Sequence, residues 1–84
     1  MARPYYNLLE RTDGVWYPQF GDYSRKVVSD ERRDILDGHD APLAKDLMIV
    51  KLPNDQQAAL DAKLMELNVP HFAHIFAWWM NNNL

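Results

Sequence analysis

From Tyr5 to Arg11 the chain reads Tyr-Tyr-Asn-Leu-Leu-Glu-Arg, β-compatible and free of helix breakers, and it predicts a first strand. Asp13-Gly14 follows, the dipeptide that best tolerates the two positive φ angles of a type I′ hairpin turn. Trp16 to Phe20 then returns as a second strand. Pro18 cannot donate to a ladder, so this strand belongs at an edge or is bulged. A two-residue loop sets Leu9 opposite Pro18 and Asn7 opposite Phe20; a longer loop with a bulge is the alternative register.

Gly21 lets the chain turn, and Ser24 or Asp22 suits the N-cap of a helix over Arg25–Asp37. Its apolar side is Val27, Val28, Ile35 and Leu36, and Gly38 is a natural stop. After a polar loop, the run Leu47-Met48-Ile49-Val50-Lys51-Leu52, closed by Pro53, predicts a strand buried on both faces or in the sheet centre. Asn54 and Gln57 resemble a capping box ahead of a helix whose Leu60, Leu64 and Leu67 share one face. Asn68 closes that helix, and Pro70, favoured at a first helical position, opens a final short one.

The order β-β-α-β-α predicts an α+β fold: a three-stranded antiparallel sheet with helices on one face and an extra C-terminal helix. One domain covers residues 1–84, with a core at 5–68 and an aromatic C-terminal helix at 69–84. Eighty-four residues bury a small core, and domains of this size usually need a staple. The absence of cysteine leaves a metal or self-association, and it fits a reducing, cytoplasmic setting. Met1-Ala2-Arg3-Pro4 leads directly into tyrosines without an apolar signal region, and no apolar run approaches a bilayer-spanning length. Twelve acids against nine bases, a net charge of −3, argue against direct nucleic-acid binding.

Asp30, Asp34 and Asp37 fall at i, i+4 and i+7 on the first helix, with Glu31 beside them and Asp40 in the loop beyond. Like charges at that spacing repel, and acids at the C-terminal end with Arg25-Lys26 at the start both oppose the macrodipole. Two readings follow: a solvated polar face screened by Arg32 and Arg33, or a row of carboxylates that imitates phosphates before a basic partner. In the last segment Phe72, Ile75, Phe76 and Trp79 form a helical stripe, with Trp78 and Met80 off it. That surplus of apolar side chains reads as core packing or as a homodimer or partner interface. A membrane surface fits poorly, because the polar face carries no Lys or Arg.

His71 and His74 at i, i+3 are too few to ligate a metal, and they read with His39 as incidental surface residues, so no metal or cofactor is expected. Thr12, Ser24 and Ser29 are the only serine and threonine residues; they have no histidine near them in sequence, and so short a chain leaves little room for an enclosed pocket. No enzymatic activity is expected. The aromatics Tyr5, Tyr6, Trp16, Tyr17, Phe20 and Tyr23 read as a cross-strand cluster; a base-stacking platform would need basic surroundings.

Tyr5-Tyr6, Asp13-Gly14, Trp16, Gln19-Phe20-Gly21-Asp22-Tyr23-Ser24-Arg25, Glu31 and Lys45-Asp46-Leu47 resemble a group of short bacterial and prophage proteins with a W-x-x-QFGDY-x-R hallmark. The likeness covers residues 5 to about 68 and implies a shared fold, with no family activity to carry over. In character the chain is also similar to anti-CRISPR proteins as a class. The function expected from the sequence is therefore protein binding. The first form is a phage-type inhibitor whose acidic residues occupy the basic surface of a nucleic-acid-handling complex such as a CRISPR effector. The other is a structural or regulatory homodimer joined by Phe72, Ile75, Phe76, Trp78 and Trp79.

Overall fold

A computed structural model describes residues 3–83; Met1 and Ala2, at the start of the segment expected to hold no apolar signal region, and Leu84, the last residue of the expected 69–84 helix, lie outside the described residues. Strand β1 (Tyr5–Thr12) and strand β2 (Val15–Asp22) form an antiparallel hairpin around Asp13 and Gly14. Both turn residues have positive φ, +54° and +84°, as a type I′ turn requires. Helix α1 (Arg25–Leu36) follows, then a single 3-10 turn (Ala44–Asp46), strand β3 (Leu47–Leu52) and the 27-residue helix α2 (Gln57–Asn83). The sheet is antiparallel with order β2-β1-β3.

Leu9 lies opposite Pro18, but Asn7 lies opposite Gly21, not Phe20. The ladder shifts between Leu8 and Leu9, where Gln19 is the unpaired extra residue beside the edge-strand proline. The centre of the sheet is β1, and β3 forms the second edge, so of the two readings of the Leu47–Leu52 run the central place does not hold. Burial on both faces does, with Leu47 and Ile49 in one core and Met48, Val50 and Leu52 in the other. The central strand is marked by the adjacent Leu8 and Leu9, both fully buried, because neighbouring side chains on a strand point to opposite faces.

Two small cores follow from that alternation. Leu8, Val28 and Leu47 gather Tyr6, Phe20, Ile35, Leu36 and Ile49 beneath α1. On the opposite face Leu9, Val50 and Leu52 gather Trp16, Met48, Ala59, Leu60, Leu64 and Leu67 beneath α2. The sheet is thus covered on both faces, which corrects the expectation of helices on one face: a central strand with two buried sides needs a cover on each. Val27, assigned to the apolar side of α1, is exposed.

Ser24 caps α1 by accepting from the Val27 N–H at 3.3 Å, while Asp22 accepts from the Ser24 N–H at 2.6 Å. Before α2, Asn54 accepts from the Gln56 N–H at 2.9 Å, and Gln57 turns instead to Asp61, so the reciprocal capping box does not form. The separate final helix is also corrected. Helix α2 runs through Asn68 and Pro70 without interruption to Asn83.

Candidate protein-docking surface

Helix α2 begins near Leu52 and Tyr5, at the end of the sheet away from the hairpin, and runs toward the Asp13–Gly14 turn. Two contacts anchor it there. The Asn68 side chain accepts from the Trp16 N–H at 2.8 Å and donates to the Trp16 carbonyl at 3.2 Å. Trp16 sits on an edge strand, so its outward backbone groups have no further strand to pair with; the buried amide of Asn68 satisfies them. One turn later, the His71 imidazole packs over Gly14. Beyond His71 every described residue of α2 is exposed.

The result is a helical arm of about 18 Å, given twelve residues from Phe72 to Asn83 at 1.5 Å each. Its surface is not polar. Met65, Val69, Phe72, Phe76 and Trp79 follow one another at spacings of 4, 3, 4 and 3, and they are 49–67% exposed. This is the 3.5-residue repeat of a coiled-coil seam. It lies about 130° around the helix from the stripe of Leu60, Leu64, Leu67 and His71 that faces the sheet. A shallow groove of about 430 Å³ lined by Asp61, Leu64, Met65, Asn68, Val69 and Phe72 opens along its first half. Ile75 and Trp78 continue the sheet-facing stripe past the hairpin, where nothing among the described residues covers them.

Each of the residues named for an interface, Phe72, Ile75, Phe76, Trp78 and Trp79, is thus brought onto this arm and left open. Met65 and Val69 extend the seam beyond the residues that the sequence predicts for an interface. The 4-3-4-3 spacing that identifies them runs through Pro70, where helix propensity predicts a break. Pro70 has no N–H for the Glu66 carbonyl, and a proline within a helix costs about 3 kcal/mol. The arm therefore holds its helix against a local penalty.

The acidic residues are arranged differently. Asp30 is ion-paired with Lys26 at 2.9 Å and Arg33 at 3.4 Å, and its carboxyl is held below the usual range chiefly by the Lys26 hydrogen bond. Arg32 does not screen this face; it donates to the carbonyls of Leu47 and Ala44, tying α1 to β3. Glu31 is partly buried, whereas Asp34, Asp37 and Asp40 are exposed and carry no ion pair among the described residues. Asp40 lies in the loop at φ +60°.

Near the start of α2, Tyr23 donates its hydroxyl to Asp55, and that bond is the main cause raising its pKa above the ordinary value. Tyr23 also meets the Tyr5 ring edge-on at 4.9 Å and lies under the Arg3 guanidinium. Beside it, Asn7, Gln19, Asp55, Gln56 and Gln57 line an open depression of about 320 Å³, so the fold does hold a concavity of this size. It collects amides, with no nucleophile–base pair. His71 is committed to Gly14 and His74 is exposed. Among the described residues no group of three or more His, Cys, Asp or Glu is placed to hold a metal, and no helix is long and apolar enough to cross a membrane. Comparison with protein-family models, curated proteins and solved structures finds no match.

Proposed function

We propose that this chain is a non-catalytic protein-binding domain whose docking element is the projecting half of α2. The observation that carries the reading is the exposed seam Met65–Val69–Phe72–Phe76–Trp79, held out from the sheet by the Asn68–Trp16 clamp. Exposed apolar patches of this extent mark interaction surfaces, and aromatics with methionine are the side chains enriched in interface centres. The sheet and its two small cores then serve as the mount for the arm.

A second reading keeps the acidic surface as the docking site of a phage-type inhibitor, such as an anti-CRISPR protein. It is favoured by Asp34, Asp37 and Asp40, which lie exposed without local counter-ions among the described residues. It is weakened at Asp30, whose charge Lys26 and Arg33 already answer. A photo-cross-linking residue placed in turn at position 76 and at position 34, in cells, separates the two. Adducts from position 76 support the arm, and adducts from position 34 alone move the site to α1. Adducts from neither contradict a protein-binding function.

A further inference from the structure

We infer that the arm docks on a second copy of this chain, the two α2 helices lying antiparallel with their seams interlocked about a two-fold axis between Phe72 and Phe76. The inference rests on the reading of the arm as a docking element and names its partner. Spacing is the first argument. A 3.5-residue repeat packs best against a helix with the same repeat, and an identical seam meets that condition by symmetry.

Charge is the second. From Val69 to Asn83 there is no Asp, Glu, Lys or Arg, although the chain as a whole carries −3. The arm thus offers nothing to address a charged partner, and two copies of it meet without repulsion. A lipid surface is disfavoured by the same fact, since interfacial helices carry Lys or Arg on their polar face. The antiparallel arrangement also sends the two acidic bodies to opposite ends of the paired helices, where a parallel one sets them side by side.

Area is the third. Aromatic side chains present roughly 150–250 Å² each, so three of them about half exposed, with Met65 and Val69, leave on the order of 500 Å² of seam per copy. Pairing then buries on the order of 1,000 Å² in total, the lower bound for a specific interface. Finally, Pro70 removes a helical hydrogen bond at the base of the arm and every described residue beyond His71 is exposed, whereas helices in proteins draw most of their stability from packing an amphipathic face. Packing along the seam supplies what the arm lacks.

The test is light scattering of the full chain across a concentration series, beside Phe76→Asp and the conservative Phe76→Leu. A doubled molar mass for the parent and for Phe76→Leu, with a single-chain mass for Phe76→Asp, is the expected result. Phe76→Asp is expected to keep the sheet and both cores, which Phe76 does not touch, with circular dichroism losing at most the helical signal of the arm. Because the chain has no cysteine, single introductions report the geometry. Ala73→Cys, near the axis, cross-links to itself on oxidation. Met65→Cys does not, its two copies lying more than about 20 Å apart at 1.5 Å per residue. Equal cross-linking by both variants overturns the antiparallel arrangement.

A parent chain that stays single at every concentration overturns the inference. If that single chain still forms photo-adducts from position 76 with another protein, the docking reading stands and only the partner is wrong. With no adduct from either position, the protein-binding reading falls as well. Binding of the single chain to phosphatidylcholine vesicles replaces the second copy with a lipid surface.

Discussion

Asn68 and Trp16 are joined as side-chain amide to main chain, the amide taking both the N–H and the carbonyl of the edge-strand residue. This pair fixes where α2 leaves the sheet and so where its arm points. Asn68→Leu keeps the branched shape of the side chain but leaves both backbone groups of Trp16 without that partner. A loss of about 1–3 kcal/mol is expected on urea denaturation, the usual cost of buried polar groups deprived of their bonds. A midpoint equal to the parent's would show that water replaces the amide.

Gly14 and His71 make a second, independent contact at the same place. A β-carbon on Gly14 would stand 2.5 Å from His71 Cε1, and φ there is +84°. Gly14→Ala is expected to cost about 1 kcal/mol or more from backbone strain, with the clash in addition. In a double-mutant cycle His71→Ala should recover the clash and leave the strain. Strict additivity of the two substitutions would contradict the packing of His71 on the turn.

The Tyr23–Asp55 bond ties the exit of β2 to the approach of α2. It favours the protonated phenol, so Tyr23 is expected to titrate above its ordinary value, and Asp55→Asn should bring it back down. A folded pKa that is raised stabilises fully below the unfolded value of 10.0 and is lost as pH rises through the folded one. Tyrosine side-chain chemical shifts followed through the alkaline range check both statements.

On α1 the three aspartates are expected to part company. Asp30→Asn removes two ion pairs and should lower stability at neutral pH, with the difference from the parent vanishing in acid. The carboxyl of Asp30 is depressed in the fold, so its contribution is present above the unfolded carboxylate value and is lost as pH falls through the folded one. Asp34→Asn and Asp37→Asn remove negative charge near the C-terminal end of a helix and should each gain about 0.3 kcal/mol. Thermal melts of the single variants at neutral and acid pH decide the signs.

Much of the fold is legible in local chemistry. Asp13-Gly14 fixes the turn, Pro18 marks an edge, and Ser24 caps its helix, because each acts through its own backbone or near neighbours. What the sequence concealed is set by tertiary context. Leu8-Leu9 reveals the central strand only once the two faces are known to be covered, while the longer apolar run at Leu47–Leu52 reports burial on both faces and does not tell an edge from a centre. Pro70 reads as a boundary by propensity, yet Asn68 and His71 hold the helix on its N-terminal side and just beyond it. Once that boundary is removed, Met65 and Val69 join Phe72, Phe76 and Trp79 in one seam.

If the arm is a docking helix, its order depends on what it meets. Amide hydrogen exchange of residues 72–83, followed on the full chain through serial dilution, reads that dependence. Protection along the arm is expected to fall on dilution while protection at Leu8, Leu9 and Val50 stays constant. Arm amides that exchange at the rate of an unfolded chain at every concentration would contradict it.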